Sequence, residues 1–381
     1  MKKAVSVFAA VLLTAGLPFP AAYAEEAPAV AAKAAVVISA DTGEVIYSLD
    51  HNEKLPMAST TKIMSALLCI ESGGLDEPFV VDSDAIRVEG SSMGLQEGDI
   101  VTKYALCCGM LLPSGNDAAN AAAVEIAGSI EDFAQLMNDR AMEIGLSKTY
   151  FVTPSGLEGE GHGSSAYDMA VLASVALRNE VFRDICSSES IKLEFGNPPY
   201  TRWLSNTNKL LSLYGGTYGV KTGFTDEAGR CLVSACERDG KNLICVTLND
   251  RNDWNDHMSL YDYCFGRVST VEPQLPQDIT LELAGSDQDK IKVTAAELPS
   301  PVTVGSEEAC ELSYKIISPP FVYAPVRVGD ELAELSISCN GREIRRIPLT
   351  AAENADLKAS VPKKKKGFFN SLISKLRGVF S

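Results

Sequence analysis

Apolar and polar positions change period several times along the chain, and each change marks an element. Residues 34–39 and 45–48 are short apolar runs flanking Asp41-Thr42-Gly43, which predicts a strand hairpin. Pro56 opens the next segment. Residues 57–70 are apolar nearly all round until Ser72-Gly73-Gly74 stops them, so this helix belongs inside a domain. Residues 104–112 predict a second apolar helix, ended by Pro113-Ser114-Gly115-Asn116, and residues 117–127 a third, rich in alanine. Two more helices are expected at 133–144 and 167–177, separated by the loop Thr153-Pro154-Ser155-Gly156-Leu157. From Lys192 strands and turns take over: 218–224, 231–237 and 243–248 read as adjacent antiparallel strands, and 255–265 as a closing helix. Strands, then helices, then strands and a last helix make an α+β pattern. Beyond Val271, short alternating runs such as Ile279-Thr280-Leu281-Glu282-Leu283, with proline and glycine turns, predict a small all-β second domain.

The two ends follow other patterns. Lys2 and Lys3, an apolar run over 4–16, and Ala22-Tyr23-Ala24 before Glu25-Glu26 have the form of an export signal spanning residues 1–24. Residues 25–32, acidic and then Ala/Pro-rich, read as a flexible leader. At the far end, four lysines at 363–366 precede Phe368, Phe369, Leu372, Ile373, Leu376 and Phe380, which share one face of a helix. A helix over 367–381 is about 22 Å long at 1.5 Å per residue, short of a bilayer core of about 30 Å. It suits the membrane surface and not a crossing. The expected location is therefore outside the cell, peripheral on the outer face of the cytoplasmic membrane.

Charge sharpens this division. The formal total is −16; the signal contributes +2 and residues 358–381 contribute +7, which leaves −25 on residues 25–357. So acidic a body argues against nucleic acid as a partner, while the basic tail is drawn to anionic lipid. Ten cysteines in an exported chain invite disulfides. Most, however, lie in apolar runs, and a two-residue turn at Asp239-Gly240 sets Cys236 opposite Leu243 and Cys245 opposite Ser234. Free, mostly buried thiols are the expectation. No C-x-x-C pair or H-E-x-x-H motif suggests a metal.

Three short strings carry chemistry. In Ser59-Thr60-Thr61-Lys62 the three-residue step places Ser59 and Lys62 on one helical face, within hydrogen-bond range. Ile63, Met64, Ala66 and Leu67 surround Lys62 with apolar groups that disfavour its charge, as a base for the serine requires. Ser114-Gly115-Asn116 occupies a loop between apolar helices, where it either presents polar groups or caps the helix that follows. Lys221-Thr222-Gly223 lies in a predicted strand, with Gly219 and Gly223 leaving room for a ligand backbone. A peptide ending in a carboxylate can add to that strand, meeting the charge of Lys221 and the hydroxyl of Thr222. The three histidines, His51, His162 and His257, have no nucleophile-elbow context, and no G-x-S-x-G surrounds any serine.

In this order the strings resemble the penicillin-binding, active-site-serine DD-peptidases, above all their low-molecular-weight D-alanyl-D-alanine carboxypeptidase branch. The resemblance covers about residues 33–351, including Leu112-Pro113-Ser114-Gly115-Asn116-Asp117, Asn206-Thr207-Asn208-Lys209 and Gly219-Val220-Lys221-Thr222-Gly223-Phe224-Thr225. It implies a β-lactamase/transpeptidase-like catalytic domain, an antiparallel sheet plus a helical cluster, over 33–270. An all-β domain over 271–352 and a basic linker with an amphipathic anchor helix over 353–381 complete the chain. It further implies that the enzyme removes the terminal D-Ala from pentapeptide stems of peptidoglycan through an acyl-enzyme, in cell-wall biogenesis and the maintenance of cell shape. No cofactor or metal takes part, and β-lactams act as covalent inhibitors.

Site roles follow from the same resemblance: Ser59 as nucleophile, Lys62 as base, Ser114 as proton relay, Asn116 on the substrate backbone, and Lys221, Thr222 and Gly223 along the substrate. The backbone N–H groups of Ser59 and Phe224 form the oxyanion hole. Some members carry histidine where Phe224 stands, and some carry arginine where this chain has Asp253; Arg251 is the substitute that sequence proximity suggests. Which side chain besides Thr222 grips the carboxylate stays open. The alternatives are a class A-like β-lactamase and a non-catalytic wall-binding module.

Overall fold

A computed structural model of the chain describes residues 26–306 and 311–358. The expected export signal and the tail from residue 359 onward lie outside these. Strand β1 (Ala34–Ser39) pairs antiparallel with β2 (Val45–Leu49), the hairpin the apolar runs imply. Helices α1 (Lys62–Glu71), α2 (Lys103–Leu111), α3 (Asn116–Ala127), α4 (Ile130–Ile144), α5 (Ala166–Ala176) and α6 (Glu180–Ser187) follow, with a short strand pair, β3 (Pro78–Val80) and β4 (Ile100–Thr102), inserted before α2. A hairpin, β5 (Ser190–Gly196) and β6 (Pro199–Ser205), and a single turn, α7 (Leu210–Leu213), lead back to the sheet. There β7 (Thr217–Thr225), β8 (Gly229–Arg238) and β9 (Lys241–Leu248) complete the order β2-β1-β9-β8-β7, and α8 (Asp253–Phe265) closes the domain.

Both faces of the central strands are covered, so they read as continuous apolar runs and not as alternation. Val36, Ile38, Ile244 and Val246 point into the helical cluster, whose core includes Met64, Leu67, Leu106 and Phe133. Val37, Leu243 and Cys245 point the other way, onto Leu260, Tyr261 and Cys264 of α8. Helix α1 is buried nearly throughout, and it touches α2, α3, α4, α5 and α6. Side-chain caps fix several helix starts: Thr102 before α2, Ser129 before α4, Ser165 before α5 and Asn179 before α6 each accept a backbone N–H of the first turn.

The second domain is all β. A six-stranded sheet has the order β14-β16-β17-β12-β11-β15, built from β11 (Thr280–Ala284), β12 (Lys290–Ala295), β14 (Leu312–Ile317), β15 (Val322–Tyr323), β16 (Glu331–Cys339) and β17 (Arg342–Ala351). A separate pair, β10 (Val268–Val271) with β13 (Val302–Gly305), ties it to the first domain. Thr303 is the main fastening: its carbonyl accepts from Ser39 Oγ at 2.7 Å, its hydroxyl accepts from Asn242 N at 2.8 Å, and its N–H donates to Asp41 Oδ2 at 2.8 Å.

Of the leader, residues 26–32 form no regular structure, yet Ala31 N donates to the Asp256 carboxylate of α8 and Lys33 N to Leu248 O at 3.1 Å. The β8–β9 register is the expected one, Cys236 opposite Leu243 and Ser234 opposite Cys245. Among the described residues, eight cysteines are free and buried. Cys339 on β16 departs from the expectation: it is disulfide-bonded. The thiol reading rested on apolar context and one hairpin's register, neither of which reaches β16. No helix among the described residues is long and apolar enough to cross a membrane.

Candidate active site

Ser59 does not sit on an α-helix. Residues Ala58–Thr61 form a 3-10 turn, and α1 begins only at Lys62. Threonine hydroxyls tighten that turn: Thr60 Oγ1 donates to Met57 O at 2.6 Å and Thr61 Oγ1 to Ala58 O at 2.8 Å. Ala58 takes a left-handed φ of 48°, a strained conformation for a residue with a β-carbon, and Ser114 does the same at 67°. Ala58 immediately precedes Ser59, and Ser114 lines the same cavity as Ser59.

Lys62 is fully buried. Its Nζ lies 2.9 Å from Ser59 Oγ and donates to Asn116 Oδ1 at 2.7 Å and to Ser155 O at 2.6 Å. Burial, and then the nearby charge of Lys221, hold this amine well below the usual lysine range, against an opposing pull from Asp117. A neutral amine donates two protons and keeps a lone pair. With Asn116 and Ser155 taking the donors, the lone pair is left for the serine proton.

Asn116 opens α3 and is bonded inward, its Oδ1 on Lys62 and its Nδ2 on Glu89 O at 2.7 Å. The N-cap of α3 is Gly115, with no side-chain cap, so the helix-capping alternative for Ser114 and Asn116 is not realised. Ser114 instead lines a cavity of about 320 Å³ together with Ser59, Thr207, Thr222, Gly223, Phe224 and Arg230. Depressions of about 490 and 440 Å³ elsewhere contain none of Ser59, Lys62 and Lys221.

Strand β7 passes directly over the 3-10 turn. A β-carbon built on Gly223 would stand 3.0 Å from Met57 O and 3.1 Å from the backbone nitrogens of Ser59 and Thr60. A side chain there would have to push the turn away by a few tenths of an ångström, and the close approach puts the N–H of Ser59 beside the strand that carries Phe224. Lys221 is 1% exposed; its Nζ donates to Thr222 O at 2.8 Å, and burial lowers it to about 7. The Thr222 hydroxyl bonds that of Thr207 at 2.7 Å. Phe224 is 63% exposed at the cavity mouth.

Three contributors were not named from the sequence. Ser155 supplies a carbonyl to Lys62 from a loop 93 residues away; the Pro/Ser/Gly composition of that loop was its only signal. Asp117 is buried, and its carboxylate accepts from Ser92 Oγ at 2.6 Å and from the N–H groups of Met93, Gly94 and Leu95 at 2.9–3.0 Å. It thereby shapes the loop whose Ser91 lines the cavity. The third is Arg230. Arg251, suggested by proximity in sequence, is exposed and absent from the cavity wall, whereas Arg230 lines it and pairs with Asp253 at 2.8 Å.

Two histidines are held neutral by burial. His162 drops to about 4 between Thr61 Oγ1 and Val152 N, and His257 to about 3 between Ser234 and Thr247. Ser234 on β8 and His257 on α8 form a serine–histidine pair at 2.7 Å, but both are fully buried where α8 packs on the sheet and cannot meet a substrate.

A family model described as D-alanyl-D-alanine carboxypeptidase matches residues 21–252. The chain is 35% identical over 338 residues to the D-alanyl-D-alanine carboxypeptidase DacF of Bacillus subtilis, covering 85% of each. It is 31% identical over 367 residues to the D-alanyl-D-alanine carboxypeptidase DacC of Escherichia coli, covering 90% of this chain and 89% of that one. Among solved structures, the D-alanyl-D-alanine carboxypeptidase DacD from Francisella tularensis superposes with a TM-score of 0.61 at 25% identity, over 87% of this chain and 95% of that one. The Streptomyces K15 DD-transpeptidase matches with a TM-score of 0.60 at 30% identity, over 63% of this chain and 99% of the other.

Proposed function

The chain belongs to the D-alanyl-D-alanine carboxypeptidase family, and from that premise we propose that Ser59 is its acylating nucleophile and Lys62 the base that activates it. The enzyme is a serine peptidase acting on the D-Ala-D-Ala ends of peptidoglycan stems, in a family that binds β-lactams. The observation that carries the assignment of residues is the 2.9 Å contact between Ser59 Oγ and the buried, charge-disfavoured amine of Lys62.

The steps balance with these groups alone. Ser59 Oγ attacks the penultimate D-Ala carbonyl while its proton passes to Lys62 Nζ. The oxyanion is met by the N–H groups of Ser59 and Phe224. The peptide C–N bond breaks, and the departing D-Ala nitrogen receives a proton relayed through Ser114. Water then attacks the acyl ester, gives up a proton to the same amine and releases the shortened stem, restoring the Ser59 hydroxyl. Thr222 faces the terminal carboxylate from β7 while the buried Lys221 lends positive potential from the other face of the strand, and Asn116 keeps its Oδ1 on Lys62 and offers Nδ2, now on Glu89 O, to the substrate backbone. The intact Ser59–Lys62 contact also weighs against a wall-binding module that has lost catalysis.

The test is covalent labelling with a chromophoric penicillin, peptide mapping by mass spectrometry, and release of D-Ala from a pentapeptide stem. One acyl group should map to the peptide containing Ser59, and Ser59→Ala and Lys62→Ala should each lose it while keeping the folded spectrum. Label that persists on Ser59→Ala would remove the nucleophile assignment.

The enzyme is further proposed to be exported and held peripherally at the outer face of the cytoplasmic membrane. The charged and apolar patterns of residues 1–24 and 363–381 support this reading.

A further inference from the structure

We propose that Arg230 is the cation that selects peptides with a free terminal carboxylate in the cavity beside Ser59. This rests on the carboxypeptidase reading above and names the partner of Thr222. The placement follows from register. Across β7 and β8, Thr222 stands opposite Leu232 and Phe224 opposite Arg230. Residues opposite each other, and residues two apart, project to one face of a sheet, so Thr222, Phe224 and Arg230 rise together. That is the face on which α8 packs, and the start of α8 completes the same cavity wall with Asp253 and Trp254.

The guanidinium is fixed along one edge. Nε and Nη2 donate to the two oxygens of Asp253 at 2.8–3.0 Å, and the Arg230 Cζ lies 5.4 Å from the centre of the Trp254 ring. Asp253 is 3% exposed, is the first residue of α8, and also accepts from Trp254 N at 2.9 Å. A carboxylate there is stabilised by the helix N-terminus as well as by arginine. Because the guanidinium is planar and rigid, fixing the Nε–Nη2 edge also fixes the direction of Nη1. Nη1 has no hydrogen-bond partner among the described residues, and the side chain is 42% exposed. Two N–H donors are therefore held ready for an anion in the cavity, by a group whose position costs little further ordering on binding.

Charge availability points the same way. Lys221 is buried and lowered to about 7, so near neutral pH it is only partly charged. A guanidinium keeps its charge throughout that range. Lys209 lines the cavity as well, but it is exposed and lacks any such clamp. The ligand class is a peptide whose last residue carries an ionised α-carboxylate.

The experiment compares the full-length enzyme with Arg230→Ala, Arg230→Lys, Lys209→Ala and Arg251→Ala, on one peptide bearing a C-terminal acid and its C-terminal amide. Arg230→Ala should lower kcat/KM for the acid on the order of 10- to 100-fold, mostly through KM, and leave the slow amide reaction nearly unchanged. Arg230→Lys should recover part of the acid preference, and Lys209→Ala and Arg251→Ala should retain it. Equal losses on acid and amide would reduce Arg230 to a structural role, and loss of the preference in Lys209→Ala instead of Arg230→Ala would move the assignment. Penicillin labelling of Ser59 separates this proposal from the broader one. If the parent is labelled and Arg230→Ala keeps full acid preference, only the Arg230 assignment falls; an unlabelled parent defeats the reading on which it rests.

Discussion

Lys62 and Lys221 are both buried, and the charge of each bears on what the other can do. Burial is the first reason that Lys62 is held below the usual lysine range, and the positive Lys221 is the second. The sign of the pH dependence follows. As the proposed base, Lys62 can take the Ser59 proton only when neutral, so the acylation rate should fall as pH drops through its lowered value. Replacing Lys221 by glutamine removes the repelling charge and raises Lys62, so the acid limb of the acylation profile should move to higher pH. Stopped-flow penicillin acylation of the parent and Lys221→Gln across the pH range measures this; a limb that stays put or moves to lower pH would separate the two lysines. The Ser59–Lys62 pairing was legible because a three-residue step is local geometry. Ser155 and Asp117 were not, since they act across tertiary contacts that no spacing announces. Arg230 was not legible either: it lies one residue before the expected strand over 231–237, and its place opposite Phe224 follows only from the register of β7 and β8, whereas Arg251 is merely close to Trp254 in sequence.

At the scale of elements, the site depends on one backbone crossing, β7 over the 3-10 turn. The atoms that a β-carbon on Gly223 would meet are Met57 O and the nitrogens of Ser59 and Thr60, which cannot swing aside as a side chain can. Gly223→Ala should therefore shift the turn by a few tenths of an ångström and spoil the proposed oxyanion geometry. Loss of kcat/KM on the order of 10- to 100-fold is expected, with a destabilisation of about 1–3 kcal/mol. Steady-state kinetics beside a thermal scan check this; unchanged turnover would show that the crossing has slack. Most elements were visible in the chain because their apolar runs are long and their stops are glycines. The exceptions have physical causes. Helix α6 is only eight residues long, too short for its buried Phe182, Ile185 and Cys186 to stand out as a period. The run over 57–70 reads as one helix, yet the hydroxyls of Thr60 and Thr61 bond backwards and turn its first residues into a 3-10 turn.

The molecule as a whole combines a strongly acidic body with a basic end, and the proposed anchor follows from that contrast. In the proposed anchor, each apolar residue of the tail, if fully buried in the membrane surface, would contribute on the order of 1.5–3 kcal/mol, and each lysine near anionic lipid about 1 kcal/mol, which salt would weaken. Deleting residues 361–381 should release active enzyme from anionic vesicles in a sedimentation assay; equal binding by the truncated, signal-free protein would refute the anchor. The all-β character of the C-terminal region was legible in the change of pattern after Val271, but the fastening at Thr303 was not, because it joins residues some 260 positions apart. One feature of the interior reaches beyond catalysis. The free thiols are distributed over α1, α2, α6, β8, β9 and α8, and burial pushes Cys108, Cys186, Cys231 and Cys264 up to about 12. An alkylating reagent reaches such a sulfur only when its own element opens. The native enzyme thus carries, without any engineered probe, a reporter in each main layer of its catalytic domain, and timed alkylation would rank those layers by the free energy of their local opening.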